Sequence, residues 1–189
     1  MPKKYKKSSS KSKKPKEDII DKNYKKITKW VLKSGNIDKE LSPKNPNLKY
    51  VLALRFAPKS NIRKPLLCAF PNNEDFFIIE SRLSIDPKSA SILLKFEEKR
   101  KNFIVQFIKY SLDKNLHYRY HLGGKGPLFF QISIHIFYEE LSKPLFYKEF
   151  NKLGNYASYL QILFTEIVLE KGIQEDSDKP KNSKNDMYS

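Results

Sequence analysis

Phe146, Phe150, Leu153, Ala157, Leu160, Phe164 and Ile167 recur at spacings of 4, 3, 4, 3, 4 and 3 residues. Only an α-helix turns such a seam to one side, and a helix this apolar along one stripe must bury it. Ser142 can cap the helix with Pro144 in its first turn, and Gly172 is placed to end it. Gly154, in its interior, costs about 1 kcal/mol relative to alanine and marks the close approach of another backbone.

The partner for this seam is a sheet. Residues 48–57 alternate, with Leu48, Tyr50, Leu52, Leu54 and Phe56 on one face and Lys49, Val51, Ala53, Arg55 and Ala57 on the other. A basic turn, 58–64, leads to a short apolar strand at 66–70, and Pro71-Asn72-Asn73-Glu74-Asp75 turns the chain again. Residues 76–85 complete a meander with Phe77, Ile79, Leu83 and Ile85 toward the core. Two more alternating segments, 116–122 and 128–138, form a hairpin around Gly123-Gly124-Lys125-Gly126-Pro127. Its core face carries Leu116, Tyr118, Tyr120 and Leu122 against Phe130, Ile132, Ile134 and Ile136.

Two further helices frame the strands. Ile20, Tyr24, Ile27 and Val31 define one over 18–33, ended by Gly35, and 36–47 reads as a loop. Asp86-Pro87 starts another that runs to about 112, because an Asp cap accepts an orphan N–H and proline at the first helical position loses no bond. Its apolar positions are interrupted by Glu97-Glu98-Lys99-Arg100-Lys101-Asn102, so its middle is expected to bend away from the sheet.

The predicted fold class is α+β: an antiparallel sheet of about five strands, in the order helix, three strands, helix, two strands, helix, with the helices largely on one face. This layout resembles the type III secretion chaperone-like fold, and more specifically an archaeal family of uncharacterised proteins with that fold. The likeness is carried by Ile20 to Val31, the alternation from Leu48 to Phe56, Leu83-Ser84-Ile85-Asp86-Pro87, Ile132-Ser133-Ile134-His135-Ile136 and the seam from Phe146 to Ile167. The resemblance spans residues 17–171. It implies a scaffold that pairs with itself or another protein, and it transfers no catalytic residue.

Charge is unevenly spread. Of 37 basic and 21 acidic residues, giving a net +16, Lys3, Lys4, Lys6, Lys7, Lys11, Lys13, Lys14 and Lys16 fall in residues 1–16 with no acid. That segment is expected to be a disordered tail, and 172–189 a second one, flanking a single domain at 17–171. A lysine tail can serve as a nucleic-acid contact, although the low arginine content and the wealth of Lys, Asn and Ile also follow from AT-rich coding. No apolar run approaches the roughly 18 residues of a membrane span, and no apolar stretch follows the basic start as in a secretory signal. A single cysteine, Cys68, excludes an internal disulfide and fits a reducing cytoplasm.

Chemistry-bearing residues are few. His117, His121 and His135 fall by parity on the outward face of the hairpin. If 123–126 forms the loop, His117 sits beside Ser133 and diagonal to His135, about 7–8 Å between backbones. His121 lies roughly 13 Å along the strand from His117, and no acid completes a metal shell. Cys68 sits in an apolar run and reads as an inert core thiol. The 123–127 glycines lack both the spacing and the following helix of a phosphate cradle. Glu97-Glu98 and Glu139-Glu140 are solvated faces. No catalytic, cofactor or metal site is expected.

The outer sheet face is the remaining candidate. Phe129 and Phe137, with Arg55 and Arg119 nearby by parity and His117 and His135 beside them, could stack on bases or meet a protein. Its mixed apolar and polar character, including Val51, Ala53 and Ala57, favours a protein partner or a second copy. The alternative is a nucleic-acid binder that combines this face with the lysine tail.

Overall fold

In the computed structural model, which describes residues 18–56, 66–123 and 127–177, the closing helix lies across an antiparallel sheet. The elements in chain order are α1 (Ile19–Ser34), β1 (Ile37–Leu41), β2 (Leu48–Leu54), β3 (Leu66–Pro71), β4 (Phe76–Ser84), α2 (Pro87–Lys95), α3 (Glu97–Asp113), β5 (His117–His121), β6 (Phe129–Phe137) and α4 (Lys143–Ser177). The sheet has six strands in the order β1-β2-β3-β4-β6-β5, so β6 inserts between β4 and its own hairpin partner.

The strand count corrects the sequence reading of about five. Residues 36–47 were expected as a loop, yet β1 pairs along β2 through Lys39–Ala53, Glu40–Leu52 and Leu41–Val51. It carries no apolar alternation because it is an edge strand, held by backbone bonding and left exposed at Asp38, Lys39 and Glu40. The middle helix also divides. Phe96 leaves the helical region at φ −104°, ψ 83°, so α2 ends at Lys95 and α3 starts on the acids Glu97 and Glu98. Acids in a first turn complement the helix dipole, and the Arg100 guanidinium reaches back to the Leu94 carbonyl at 3.1 Å.

Caps follow the sequence. The Asp18 side chain accepts from the Ile20 N–H, Asp86 accepts from the Ser89 N–H, and Gly35 ends α1 at φ 70°. Gly172 does not stop α4, which continues to Ser177; one glycine costs a helix only about 1 kcal/mol.

The helices share one sheet face. Phe77 meets Phe146, Phe130 meets Phe103 and Phe107, and Tyr24 of α1 meets Phe70 and Tyr50. These rings, with Ile27, Leu52, Leu54, Ile79, Leu153 and Leu160, form the buried core. Tyr118 and Tyr120 point to this side as expected, edge-on to Phe107, but remain more than a third exposed. Gly154 is required by a side chain rather than by the backbone foreseen: a Cβ there would overlap the Phe56 ring, which packs on Phe150. Polar ties reinforce the layers. The Tyr147 hydroxyl donates to the Trp30 carbonyl at 3.0 Å, and the buried Tyr156 hydroxyl donates to the Phe107 carbonyl at 2.8 Å. Burial pushes the Tyr156 hydroxyl up to about 12, so it stays a donor through the alkaline range.

No described helix is long and apolar enough to cross a membrane. The lysines of residues 1–16, the basic turn at 58–64 and the glycines at 124 and 126 lie outside the described residues.

Candidate functional site

A strand buried on one face only must show its alternate residues on the other. Because Phe77, Ile79 and Leu83 of β4 face the helices, Phe76, Ile78, Glu80 and Arg82 face away, and their neighbours on β6 are Phe137, His135, Ser133 and Gln131. No described helix packs on this side. Next to it, β2 and β3 contribute Val51, Ala53 and Ala69, whose small side chains lie buried, flanked in register by Leu41, Lys39, Leu67 and Ile78. Ala57, assigned to the same face, is outside the described residues.

The open face therefore divides into a smooth half over β1, β2 and β3 and a ring-bearing half over β4, β6 and β5. In the second half His117 and His135 stack at 4.3 Å between centroids, and His135 stacks on Phe76 at 4.8 Å with planes 5° apart. Phe76 then meets Phe137 edge-on at 5.8 Å. A second group lies nearer the hairpin loop: the Arg82 guanidinium sits 3.8 Å over Phe129, whose ring also stacks on His121 at 6.0 Å. Between the groups the Gln131 amide donates to the Glu80 carboxylate at 2.8 Å. Burial holds the Glu80 carboxyl above the usual range despite Gln131 and the nearby Arg82. Burial, and then the neighbouring His117, hold His135 below the usual imidazole value.

The residues named from sequence come together only in part. His117 is paired with Ser133 and lies diagonal to His135, the arrangement that a loop at 123–126 predicts. Arg55 and Arg119 do not share a platform. Arg55 follows β2 and binds Asp38 at 2.7 Å, while Arg119 is on β5, four strand steps or roughly 19 Å away at ~4.8 Å per strand. Phe129 and Phe137 stand at opposite ends of β6, about 26 Å apart at ~3.3 Å per residue. Sequence reasoning left out Phe76, Glu80, Arg82 and Gln131. Parity along β4 places the first three outward, but the pairing of β4 with β6 is a long-range fact that no local pattern carries.

The π faces of His135 and Phe129 are occupied. His135 is covered on both sides by rings, and Phe129 by a guanidinium and an imidazole, so these rings show edges rather than flat platforms to an incoming group.

A model of the family described as "Uncharacterized conserved protein (DUF2299)" matches residues 23–164. The chain belongs to DUF2299. The match runs from the first turns of α1 through most of α4 and so takes in the whole described sheet. A crystal structure of an uncharacterized protein from Methanothermobacter thermautotrophicus is similar to this DUF2299 chain, with a TM-score of 0.60 and 15% identity over 78% of this chain and 96% of that one. At that identity the likeness concerns the fold alone. No curated protein matches the chain.

Elsewhere the described residues of the DUF2299 chain offer little reactive chemistry. Cys68 is fully buried between Leu52 and Ile79, and burial pushes its thiol far above the ordinary value, where it is no nucleophile. Among the described residues no group of three or more His, Cys, Asp or Glu could hold a metal. A cleft of about 260 Å³ lies between the end of β4 and α4. Its two charged lining residues are engaged, Arg82 with Phe129 and Asp86 with the Ser89 N–H.

Proposed function

We propose that this DUF2299 protein is a non-enzymatic protein-interaction module, chaperone-like in fold, that holds a protein partner against its open sheet face. The observation that carries the reading is the ring-bearing half of that face: Phe137 is 41% exposed at the end of the His117–His135–Phe76 row, on a sheet side that no described helix covers. A row of rings with Arg82 and Arg119 beside it has the make-up of an interface core with a polar edge. The chaperone-like part of the proposal rests on the resemblance read from sequence; the described residues form six strands and four helices, β1 and the break at Phe96 being departures from the expected order.

Charge selects among occupants. With a net +16, a second copy is repelled, whereas an acidic partner is steered in. Base stacking on His135 and Phe129 is disfavoured because their ring faces are already covered by neighbours.

Light scattering on the eluting full chain, together with a pull-down at low salt, tests the reading. The expected result is a monomer that retains an acidic protein, with retention lost in Phe137→Glu and weakened by added salt. A monomer that retains no protein overturns it, and a stable dimer lost in Phe137→Glu replaces the partner by a second copy. Salt-dependent binding of single-stranded RNA that falls with deletion of residues 1–16 favours the nucleic-acid alternative.

A further inference from the structure

Two imidazoles stacked face to face can share one charge far more easily than two. His117 of β5 and His135 of β6 lie 4.3 Å apart with planes 24° from parallel, and the far side of His135 rests on Phe76. His117 is exposed, whereas His135 is half-buried, with a ring on each of its faces. A proton on both rings puts two like charges at van der Waals distance, one of them half-buried between two rings.

The surrounding charges do little to relieve this. On β4, Glu80 lies cross-strand from Ser133 and is already held by the Gln131 amide, and Arg82 lies on Phe129. β5 adds a further cation, Arg119, and the residues of β6 between Phe129 and His135 on this face are the neutral Gln131 and Ser133. Ahead of β5, Asp113 and Lys114 pair with each other at 2.8 Å.

The geometry points to a proton switch in the docking face: the His117–His135–Phe76 stack is closed while at most one imidazole is charged and is opened by the second proton. Burial, then His117, hold His135 below the ordinary histidine value. The sign follows from linkage. A ring held neutral by its folded surroundings contributes above the ordinary value of about 6.5, and that contribution fades as pH falls through the lower folded value. A partner lying over His135 removes more water from it, so its complex is tightest near neutrality and weakens in mild acid. This last step rests on the proposed docking of a protein at the open face.

The test is a ring-resonance NMR titration of the full chain without any partner, from about pH 8 to about pH 5. The expected result is a His135 midpoint below about 6.5 and loss of the His117–His135 ring contacts over the same range. His117→Phe keeps the ring cover and removes the charge, so the His135 midpoint rises. His135→Phe keeps a ring between His117 and Phe76 and removes the acid-induced change at Phe76. Independent titration of the two imidazoles, an unmoved His135 in His117→Phe, or ring contacts that persist through both protonations would overturn the switch. Because no partner is present, a failed pull-down leaves this result standing, and a failed titration leaves the docking reading standing.

Discussion

The two faces of the sheet use aromatic rings in opposite ways. On the covered face the rings join layers: Phe103 of α3 meets Phe130 of β6 edge-on at 4.8 Å, and Phe77 of β4 meets Phe146 of α4. On the open face they join only neighbouring strands, as His117 with His135 and His135 with Phe76. Strand neighbours are already held by backbone bonds, so the second set adds little cohesion that the sheet lacks. Rings on the covered face join helices to the sheet; rings on the open face join strand to strand only.

The sharpest way to break this comparison is to truncate one ring on each side. Phe107 is fully buried between Tyr118, Tyr120 and Phe130, so Phe107→Ala should cost about 3–5 kcal/mol in urea unfolding. Phe137 is 41% exposed, and Phe137→Ala should stay within about 0.5 kcal/mol while partner retention falls. Comparable losses from the two would mean that the open face is structural.

Gly154 tests the close fit between α4 and the sheet. A methyl group at that position would overlap the Phe56 ring, which must then leave its edge contact with Phe150. Gly154→Ala should therefore destabilise by about 1–3 kcal/mol despite the better helix propensity of alanine. Adding Phe56→Leu should recover part of the loss, because a smaller side chain vacates the space. Full stability in the single variant would show that the seam tolerates a wider spacing from the sheet than the contact implies.

What could be read from sequence follows the range of each interaction. The seam of α4 and the inward parity of β2, β4 and β6 were legible because burial repeats every 3.6 or 2 residues. The His117–His135 contact was legible because both lie on one hairpin, where the turn sets the register. Arg55 and Arg119 were misjudged as neighbours, since parity names a face and not a place on it. The order β4-β6-β5 depends on how the α2–α3 crossover returns the chain, and it is this order that brings Phe76 and Arg82 to the site. β1 escaped notice because an edge strand of Asp, Lys and Glu bonds through its backbone and buries almost nothing.

The smallest expected effect concerns the rim, where charge ties the layers beside the Tyr24–Tyr50 ring stack. The Lys49 ammonium reaches Asp18, the cap of α1, and Asp21 in its first turn, each at 2.7 Å, and lies 5.8 Å from the centre of the Tyr50 ring. Hydrogen bonds from Lys49 first, and then from the Ile20 N–H to Asp18 and the Tyr50 hydroxyl to Asp21, hold both carboxyls below the usual range. Groups with lowered folded values contribute above the ordinary Asp value of about 3.9, and that contribution is lost as pH falls through the folded values. Lys49→Met should thus lower the urea midpoint slightly at neutral pH, less so at high salt, and the two proteins should converge below about pH 3. If the gap persists in acid, the lysine acts through its contact with the Tyr50 ring, and the rim then coheres by the same aromatic packing as the core beneath it.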